Sequence, residues 1–250
     1  VHGGRGPEER EKFVAMKVTC RDLGTMDYAA CWNLQQELFD ALLSRKAAGR
    51  GCDAPRTGHG TQEAGTILFV EHPPVYTLGK SGHAENLLVG REQLEALGAQ
   101  FFHIDRGGDI TFHGPGQLVC YPILDLERLG IGLRAYIEAL EETVIRTVAR
   151  YGIAAGRIAG ASGVWIEKEG SIPRKICAIG VRSSRYITMH GFALNVTTDL
   201  GWFSRINPCG FTDRGVSSIA LETGRRPEMG EVKALVAEQL KEILNVEIYK

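Results

Sequence analysis

A cysteine between proline and glycine is the residue of this sequence best suited to covalent chemistry. Cys209 lies in INPCGF, outside any helical or strand-like periodicity. Proline restricts the backbone on one side of the thiol, and glycine permits close approach on the other. Such a turn suits a nucleophile, which forms a covalent intermediate when a neighbouring group activates it. A buried loop cysteine without chemistry is the commoner alternative.

The other five cysteines have structural explanations. Cys31 falls on an apolar helix face, and Cys120 and Cys177 fall within strand patterns, where a free thiol is a small core residue. Cys20 and Cys52 have no special context. Because no CxxC pair occurs and the spacings suit neither a disulfide framework nor a zinc site, we expect a reducing compartment, the cytoplasm.

Lys175 is the candidate for a group that activates Cys209. An adjacent cation favours the thiolate over the thiol. Lys175 lies in PRKICAIG at the start of an apolar strand pattern, so we expect it at the margin of the core. A lysine at such a margin can serve as a base, although a lysine at a strand end is usually solvated. Spacing alone does not show that Lys175 and Cys209 meet.

The segment RGGDITFHGPGQ has the composition of a loop that surrounds a ligand. Four of its twelve residues, 106–117, are glycine. A P-loop requires GK[ST], which the sequence lacks, and a dinucleotide fingerprint opens a helix, whereas GQLVCYP continues as a strand. The seven histidines have no metal-ligand spacing, and His113 is the one within this loop. The segment therefore predicts neither a phosphate site nor a metal site.

Hydrophobic periodicity predicts the elements that position these residues. Helical spacing predicts helices over residues 27–44, 92–97, 133–151 and 231–244, with Asp27 as the N-cap of the first. Short apolar runs predict strands over residues 66–70, 101–104, 117–123, 163–167, 175–181 and 190–196. Residues 46–65 are polar and rich in Gly and Pro, which predicts an exposed loop.

The strands cluster between the helices instead of alternating with them. This order predicts an α/β protein of the α+β type, with a mixed, largely antiparallel sheet flanked by helices. We expect a polar, flexible tail over residues 1–17 and a single catalytic domain over residues 18–250, because no repeat or low-complexity tract divides the chain.

Composition excludes several classes of function. Lys and Arg number 29 and Asp and Glu number 30, which argues against a broad nucleic-acid surface. No apolar run reaches 18 residues, and the N-terminus has no apolar core, so we expect neither a membrane span nor a secretory signal.

Several long motifs, taken together, identify a family. RGGDITFHGPGQLVCYP, LFVEHPPVYTLGK, ASGVWI, RKICAIGVR, HGFALNV and INPCGF appear in order over about residues 18–225. This set resembles the octanoyltransferases, also called lipoate–protein ligase B. The 46–65 loop and the N-terminal tail depart from the usual family pattern without touching the motifs.

The resemblance implies a fold, a reaction and a set of functional residues. The fold is the α/β domain of biotin–protein and lipoate–protein ligases. The reaction moves octanoyl from acyl carrier protein to a lysine of an apo lipoyl domain, in 2-oxoacid dehydrogenase complexes or the glycine cleavage H protein, without a cofactor. Cys209 is the implied thioester-forming residue, and Lys175 is implied to lower its pKa. The implied substrate-binding residues are Arg106, Gly107, Gly108, Asp109, Ile110, Thr111, Phe112, His113, Ala178, Ile179, Gly180, Gly191, Phe192 and Ala193.

Mechanism adds three expectations. Backbone N–H groups of Gly107 and Gly108 could stabilise an oxyanion, with His113 as a further donor or an organiser, or the glycines could simply make room for the acyl chain. Apolar residues near the motifs could line a slot for the octyl chain, although ordinary core positions are the commoner explanation for most of them. They are Phe112, Ile179, Phe192 and Leu194.

The third expectation concerns charge. Residues 151–226 hold ten Lys and Arg against five Asp and Glu, which predicts a basic docking face for acidic protein substrates. Its candidates are Arg174, Arg182, Arg185, Arg205 and Arg214.

Two other functions remain open from the sequence. An ATP-dependent lipoate or biotin ligase on the same fold would activate a free acid and would need no nucleophilic cysteine. A binder of acyl chains or lipoyl domains would perform no chemistry.

Overall fold

The computed structural model describes residues 15–50, 63–207 and 214–250. The helices are α1 (Tyr28–Arg50), α2 (Arg91–Ala96), α3 (Leu133–Ala149), α4 (Ile219–Thr223) and α5 (Met229–Leu244), with 3-10 turns at Ala84–Asn86 and Leu200–Arg205. The strands are β1 (Met16–Thr25), β2 (Glu63–Glu71), β3 (Val75–Leu78), β4 (Gln100–His103), β5 (Ile110–His113), β6 (Gln117–Leu124), β7 (Gly156–Ile158), β8 (Ala161–Ile166), β9 (Arg174–Ser184), β10 (Ile187–Asn195), β11 (Gly215–Val216) and β12 (Val246–Tyr249).

A large mixed sheet organises the described chain. Its strand order is β12-β1-β2-β6-β10-β9-β8-β7, and β11 pairs with β9. The pairs of β1 with β12 and β2, and of β11 with β9, are parallel, whereas the remaining pairs from β2 to β7 are antiparallel. The predicted α/β class with a mixed, largely antiparallel sheet is therefore confirmed.

Helices cover both faces of this sheet. On one face, α3 and α5 bury aliphatic side chains against the strands, including Leu140, Val144 and Val236. On the other face, α1 packs Phe39 and Leu42 against strand residues of opposite parity. Successive side chains of a strand point to opposite faces, so each central strand contributes to both layers.

A small second sheet stands beside the α1 face. Its order is β4-β3-β5, parallel and then antiparallel. It has its own core, in which Tyr76, Leu78 and Phe112 pack against Ile206. This sheet and the 3-10 turn at Leu200–Arg205 lie opposite the central strands and leave a cavity between the two sheets.

The predicted helices are present, and the observed bounds of α1 and β2 correct the predicted 46–65 loop. The N-cap of α1 is confirmed, because the Asp27 carboxylate accepts a hydrogen bond from the Ala30 N–H at 3.2 Å. However, α1 continues through Arg50 and β2 begins at Glu63, so both ends of the predicted 46–65 loop are regular structure. Residues 51–62 of that loop lie outside the described residues.

Six strands were not predicted as strands. Five of them, β1, β3, β7, β11 and β12, were left without assignment, and β1 begins at Met16, inside the predicted tail 1–17. β5 lies within the glycine-rich segment that the composition marked as a loop. Its ITFH sequence pairs with β3 over four residues, so only the flanking residues of that segment are loop. None of the described helices is long and apolar enough to cross a membrane.

Candidate functional site

A cavity of about 390 Å³ lies over the centre of the large sheet, on its α1 face. β9 contributes Ala178 and Gly180 to its floor, and β10 contributes Gly191 and Ala193. The volume falls within the range of small-molecule sites, which are concave and mostly apolar with a few polar groups.

Small residues in register create this space. Ala178 is the cross-strand partner of Ala193, and Gly180 is the partner of Gly191. Directly opposed residues on one sheet face normally bring their side chains into contact. Here the two pairs carry methyl groups or hydrogens, and the sheet surface is left open over about two residue lengths.

The predicted site residues are mostly gathered around this cavity. Lys175 and twelve of the fourteen predicted substrate-binding residues line it, and Gly107 and Phe112 do not. Those that line it are Arg106, Gly108, Asp109, Ile110, Thr111, His113, Ala178, Ile179, Gly180, Gly191, Phe192 and Ala193. Their contact with a substrate stays a prediction.

Glycines in β9 and after β3 let the backbone of the loop before β5 pack closely against them. A Cβ atom on Gly180 would lie 2.8 Å from the Gly107 carbonyl oxygen, and one on Gly79 would collide with the Gly108 carbonyl. The Gly107 N–H donates to the Val181 carbonyl oxygen at 3.0 Å. The Gly107 N–H therefore already has a partner in the sheet, which favours the alternative that this glycine makes room for the acyl chain.

The guanidinium group of Arg106 binds the backbone of the same loop. Its Nη2 donates to the carbonyl oxygens of Thr77 at 2.8 Å and Asp109 at 2.7 Å, and its Nη1 donates to the Gly107 carbonyl at 3.1 Å. The Asp109 carboxylate accepts from Asn86 Nδ2 at 2.6 Å. These two charged residues are buried and bind protein groups, which shapes the wall of the cavity.

The predicted apolar slot requires correction. Phe112 stacks on Trp202, with ring centroids 5.1 Å apart, inside the small-sheet core. The side chains of Ile179, Phe192 and Leu194 belong to the core beneath α3 and α5, on the opposite face of the large sheet. Ile179 and Phe192 still line the cavity, but the alternation along β9 and β10 turns their side chains to the core and leaves the small residues between them on the cavity face.

Lys175 lies at one end of the cavity beside an aromatic ring. Its Nζ is 4.6 Å from the centroid of the Trp165 ring, and the guanidinium carbon of Arg214 is 5.2 Å from the same centroid. Trp165 is 3 % exposed and thus fixed in the protein. The predicted place of Lys175 at the margin of the core is correct, because it is half-buried at the start of β9.

Cys209 itself lies outside the described residues. Asn207 and Arg214, which flank the undescribed residues 208–213, both line the cavity. Whether Cys209 contacts Lys175 therefore stays a prediction.

Histidines and tyrosines form another part of the cavity wall. His113 and His190 line it together with Tyr28 and Tyr121, and His72 lies behind them, bonded to the Tyr121 hydroxyl at 2.9 Å. Burial lowers the pKa of His72 to about 4 and that of His113 to about 3. Burial also lowers the pKa of His190, against the opposing effect of the Asp105 carboxylate. All three imidazoles are therefore neutral near pH 7.

The described residues contain no group of three or more His, Cys, Asp or Glu side chains arranged to hold a metal ion. The described cysteines Cys31, Cys120 and Cys177 are buried. Burial raises the pKa of the Cys31 thiol to about 12 and raises those of Cys120 and Cys177 as well. Such thiols are inert, in agreement with their structural explanation.

Several cavity residues were missed by the sequence analysis. They are Tyr28, Gln117, Tyr121, Trp165, His190 and Asn195, among others. A usable signal was present for two of them. Gln117 and Asn195 are amides at the ends of apolar strand patterns, inside quoted motifs, and each is buried. Buried amides require partners, so they mark a polar network.

The chain matches the model of a known protein family. Residues 27–241 match the lipoyl protein ligase A/B catalytic domain. An octanoyltransferase of Bacteroides fragilis YCH46 is 53 % identical over 225 residues, which cover 90 % of this chain and 97 % of the relative. The chain belongs to the octanoyltransferases. An octanoyltransferase of Flavobacterium johnsoniae is 48 % identical over 235 residues, or 93 % and 98 % of the two chains.

Solved structures agree with this family in fold. The chain is similar to a bipartite lipoate protein ligase of Thermoplasma acidophilum with a TM-score of 0.65 and 16 % identity, covering 94 % of this chain and 86 % of the other. A lipoate-protein ligase A bound with ATP gives a TM-score of 0.62 and 14 % identity, covering 95 % and 88 %. The octanoyltransferase is thus an acyltransferase on the lipoate-ligase fold.

Proposed function

We propose that this octanoyltransferase moves octanoyl from octanoyl-acyl carrier protein to a lysine of an apo lipoyl domain, through a thioester on Cys209. Family membership supports acyl transfer for lipoylation. The observation that carries the finer proposal is one cavity with Lys175 at one end, small residues along its floor, and both neighbours of residues 208–213 in its wall.

Chain geometry supports Cys209 as the nucleophile. Asn207 lines the cavity, and Cys209 follows it by two residues. Residue 209 is also within five residues of Arg214, which lines the same wall.

Lys175 supplies the charge that this chemistry requires. A cation near the thiol favours the thiolate, which is the reactive form. The Lys175 ammonium group lies over the Trp165 ring, and this cation–π contact holds the charge at the cavity wall. The same amine, once neutral, is the group we assign as acceptor of a proton from the substrate lysine.

The reaction proceeds in two steps without ATP. The Cys209 thiolate attacks the thioester carbonyl and a new C–S bond forms. The carrier thiolate leaves and takes the proton of the Lys175 ammonium group, which becomes a neutral amine. The lysine amine of the lipoyl domain then attacks, the C–N bond forms, and the Cys209 thiolate leaves. The proton of the attacking amine passes to Lys175. Exchange of one thioester for another is nearly balanced, and formation of the amide drives the second step.

The floor of the cavity suits an alkyl chain. Val119, Ala178 and Ala193 offer apolar contacts, and Gly180 and Gly191 let the chain lie close to the backbone. Each buried methylene contributes about 0.8 kcal/mol, so the chain can hold the substrate while the carbonyl remains at the Lys175 end. Gly108 also lines the cavity, and its role as an oxyanion donor stays a prediction.

Mass spectrometry of the intact protein tests the proposal. After incubation with octanoyl-acyl carrier protein and no ATP, the protein should gain one octanoyl group. The adduct should be absent in Cys209→Ala and should form slowly in Lys175→Met. Cys20→Ala is the matched control, because burial raises the pKa of that half-buried thiol to about 11, and its loss should leave the adduct unchanged.

The rival functions give other results. An ATP-dependent ligase would modify a lipoyl domain from free octanoate and ATP and would retain activity in Cys209→Ala. A non-catalytic binder would form no adduct and would transfer nothing. Either result would refute the thioester mechanism. The acidic docking partners and the cytoplasmic compartment stay predictions.

A further inference from the structure

Two buried amide side chains connect Ser217 to His113. Asn195 Nδ2 donates to the Ser217 carbonyl oxygen at 2.9 Å. Gln117 Nε2 donates to Asn195 Oδ1 at 2.9 Å and to the Phe112 carbonyl oxygen at 3.1 Å. Gln117 Oε1 lies 2.8 Å from His113 Nδ1. Asn195, Gln117 and His113 are buried and line the cavity, so this series of bonds reaches its wall.

The direction of each hydrogen bond is fixed by the two carbonyl groups. A carbonyl oxygen only accepts, so the NH₂ group of Asn195 must face Ser217 and the NH₂ group of Gln117 must face Phe112. The oxygen of Asn195 then accepts from Gln117, and the oxygen of Gln117 is left facing His113 Nδ1. An amide oxygen only accepts, so His113 Nδ1 carries the proton.

This assignment leaves His113 Nε2 with a lone pair. His113 is neutral because burial lowers its pKa to about 3, and a neutral imidazole with a proton on Nδ1 has none on Nε2. Within the described residues, the hydrogen bond found for this ring is the one at Nδ1. Nε2 is thus an acceptor in a residue that lines the cavity.

His190 has the opposite tautomer. Its Nε2 lies 3.0 Å from Asp105 Oδ1, and a carboxylate oxygen accepts, so the proton of the neutral ring is on Nε2. The two histidines line the same cavity and present different chemistry. His190 therefore provides an internal reference for the state of His113.

We propose that Gln117 and Asn195 are positioning residues that hold His113 as a hydrogen-bond acceptor, through Nε2, for an N–H group of a substrate. His113 then cannot donate to an oxyanion, which decides between the roles left open for it by the sequence. The tautomer is independent of the proposed function, whereas the substrate contact rests on it. Two substrates offer such a group: the attacking lysine amine, and an amide in the pantetheine arm of the carrier.

Long-range ¹H–¹⁵N spectra of the imidazoles test the tautomer directly. The signals of His113 are assigned by their loss in His113→Gln. We expect a protonated Nδ1 and an unprotonated Nε2 for His113, and the reverse for His190 in the same spectrum. A protonated Nε2 on His113 at neutral pH would overturn the proposal.

Variants of Gln117 separate positioning from a purely structural role. Gln117→Met removes the acceptor at Nδ1, so both tautomers of His113 should appear and transfer should slow by roughly ten- to a hundredfold. Gln117→Glu keeps an oxygen there and should retain the Nδ1–H tautomer and recover part of the rate. A structural role alone would lower the melting temperature of Gln117→Met with the tautomer unchanged, which would contradict the proposal.

Asn195→Asp is the second test, in case the Gln117 variants do not fold. Its carboxylate can still accept from Gln117, so His113 should keep its tautomer. Asn195→Leu leaves only the Phe112 carbonyl to orient Gln117, so a fraction of the other tautomer should appear. Equal spectra for both Asn195 variants would also overturn the proposal.

Single-turnover measurements identify which substrate His113 contacts. Slower octanoyl transfer from the carrier to the protein in Gln117→Met indicates the amide of the carrier arm. Slower transfer onto the lipoyl domain indicates the amine. If neither step slows although wild-type protein transfers octanoyl, the substrate contact is refuted. If wild-type protein transfers nothing, the proposed function fails, and the spectra still test the tautomer.

Discussion

The two faces of β9 and β10 differ in what the same strands carry. Toward α3 and α5, Ile179, Phe192 and Leu194 are buried among aliphatic side chains. Toward α1 and the small sheet, the intervening residues are alanine and glycine, and they border an open cavity. Alternation in a strand thus assigns stability to one set of residues and substrate space to the other, and mutations on the two faces should separate the two properties.

Acid should act on the cavity face first, with the largest effect on stability. The pKa of His72 falls to about 4 and that of His113 to about 3, against 6.5 for histidine in the unfolded chain. Below pH 6.5 these histidines are protonated in the unfolded chain but stay neutral in the folded protein. The free energy of unfolding therefore falls as pH drops from 6.5 toward 4. His72 alone contributes about 3 kcal/mol to this loss.

Denaturant unfolding at a series of pH values measures this loss. The double variant His72→Gln, His113→Gln should show a much flatter dependence in that interval, because the groups that titrate only in the unfolded state are fewer. A wild-type stability that is constant from pH 6.5 to about 4.5, before most carboxylates titrate, would contradict the assignment of neutral buried histidines.

Truncation on the core face should reduce stability and spare the chemistry. Leu194 is fully buried under α3 and α5, so Leu194→Ala should lower the free energy of unfolding by about 2–5 kcal/mol. The rate of octanoyl transfer should remain near that of wild type at temperatures where the variant is folded. A large loss of transfer in folded protein would show that the two faces are not independent.

Enlargement of Ala193, the neighbour of Leu194 in β10, should reduce octanoyl transfer and spare stability. Ala193 borders the cavity, so Ala193→Leu should occupy part of the slot and lower kcat/KM for octanoyl donors roughly 10- to 200-fold. Shorter acyl donors should lose less, because they leave the filled region vacant. Stability should change little. Equal losses for long and short acyl donors would place the acyl chain elsewhere.

The basic residues around the cavity should have the smallest effect on the reaction, through KM for the carrier protein. Arg174 pairs with Glu222 at 2.7 Å and Arg182 with Asp105 at 2.5 Å, so these two candidates of the basic face are already neutralised within the protein. We expect KM for the carrier protein to rise by roughly a few-fold from low to high salt.

Arg214→Gln, at the cavity, should raise the same KM and weaken its dependence on salt. Lys241→Gln is the control, because Lys241 pairs with Glu247 of the distant strand β12. A KM that is insensitive to salt, or equal effects of the two variants, would remove the docking face.

The sequence predicted the long elements well because their patterns are strong. α3 and α5 have continuous apolar stripes, and β6, β9 and β10 are runs of apolar residues. β1 escaped prediction because most of its residues are exposed or half-buried and its pairing with β12 joins the two ends of the described chain. Such pairing is a non-local effect that no local pattern records.

The site was predicted in part, for a similar reason. Motif residues around Arg106 and Ala178 were found, but the roles of Gly107, Phe112 and Ile179 depend on which face of a strand or loop they occupy. Trp165 precedes Lys175 by ten residues and meets it only when β8 pairs with β9, and Arg214 is far from both in sequence. Their contribution was therefore invisible before the sheet was assembled.

Trp165 gives the molecule an optical probe of its own reaction centre. Its ring faces Lys175 and Arg214 and is shielded from water, so its surroundings are two cations and the end of the cavity. Indole fluorescence responds to nearby charge, and the arrival of an acyl group or the loss of a proton from Lys175 alters that charge. With Trp32 and Trp202 replaced by Phe, the remaining indole would report each step of turnover by light emission alone, without any label on either protein substrate.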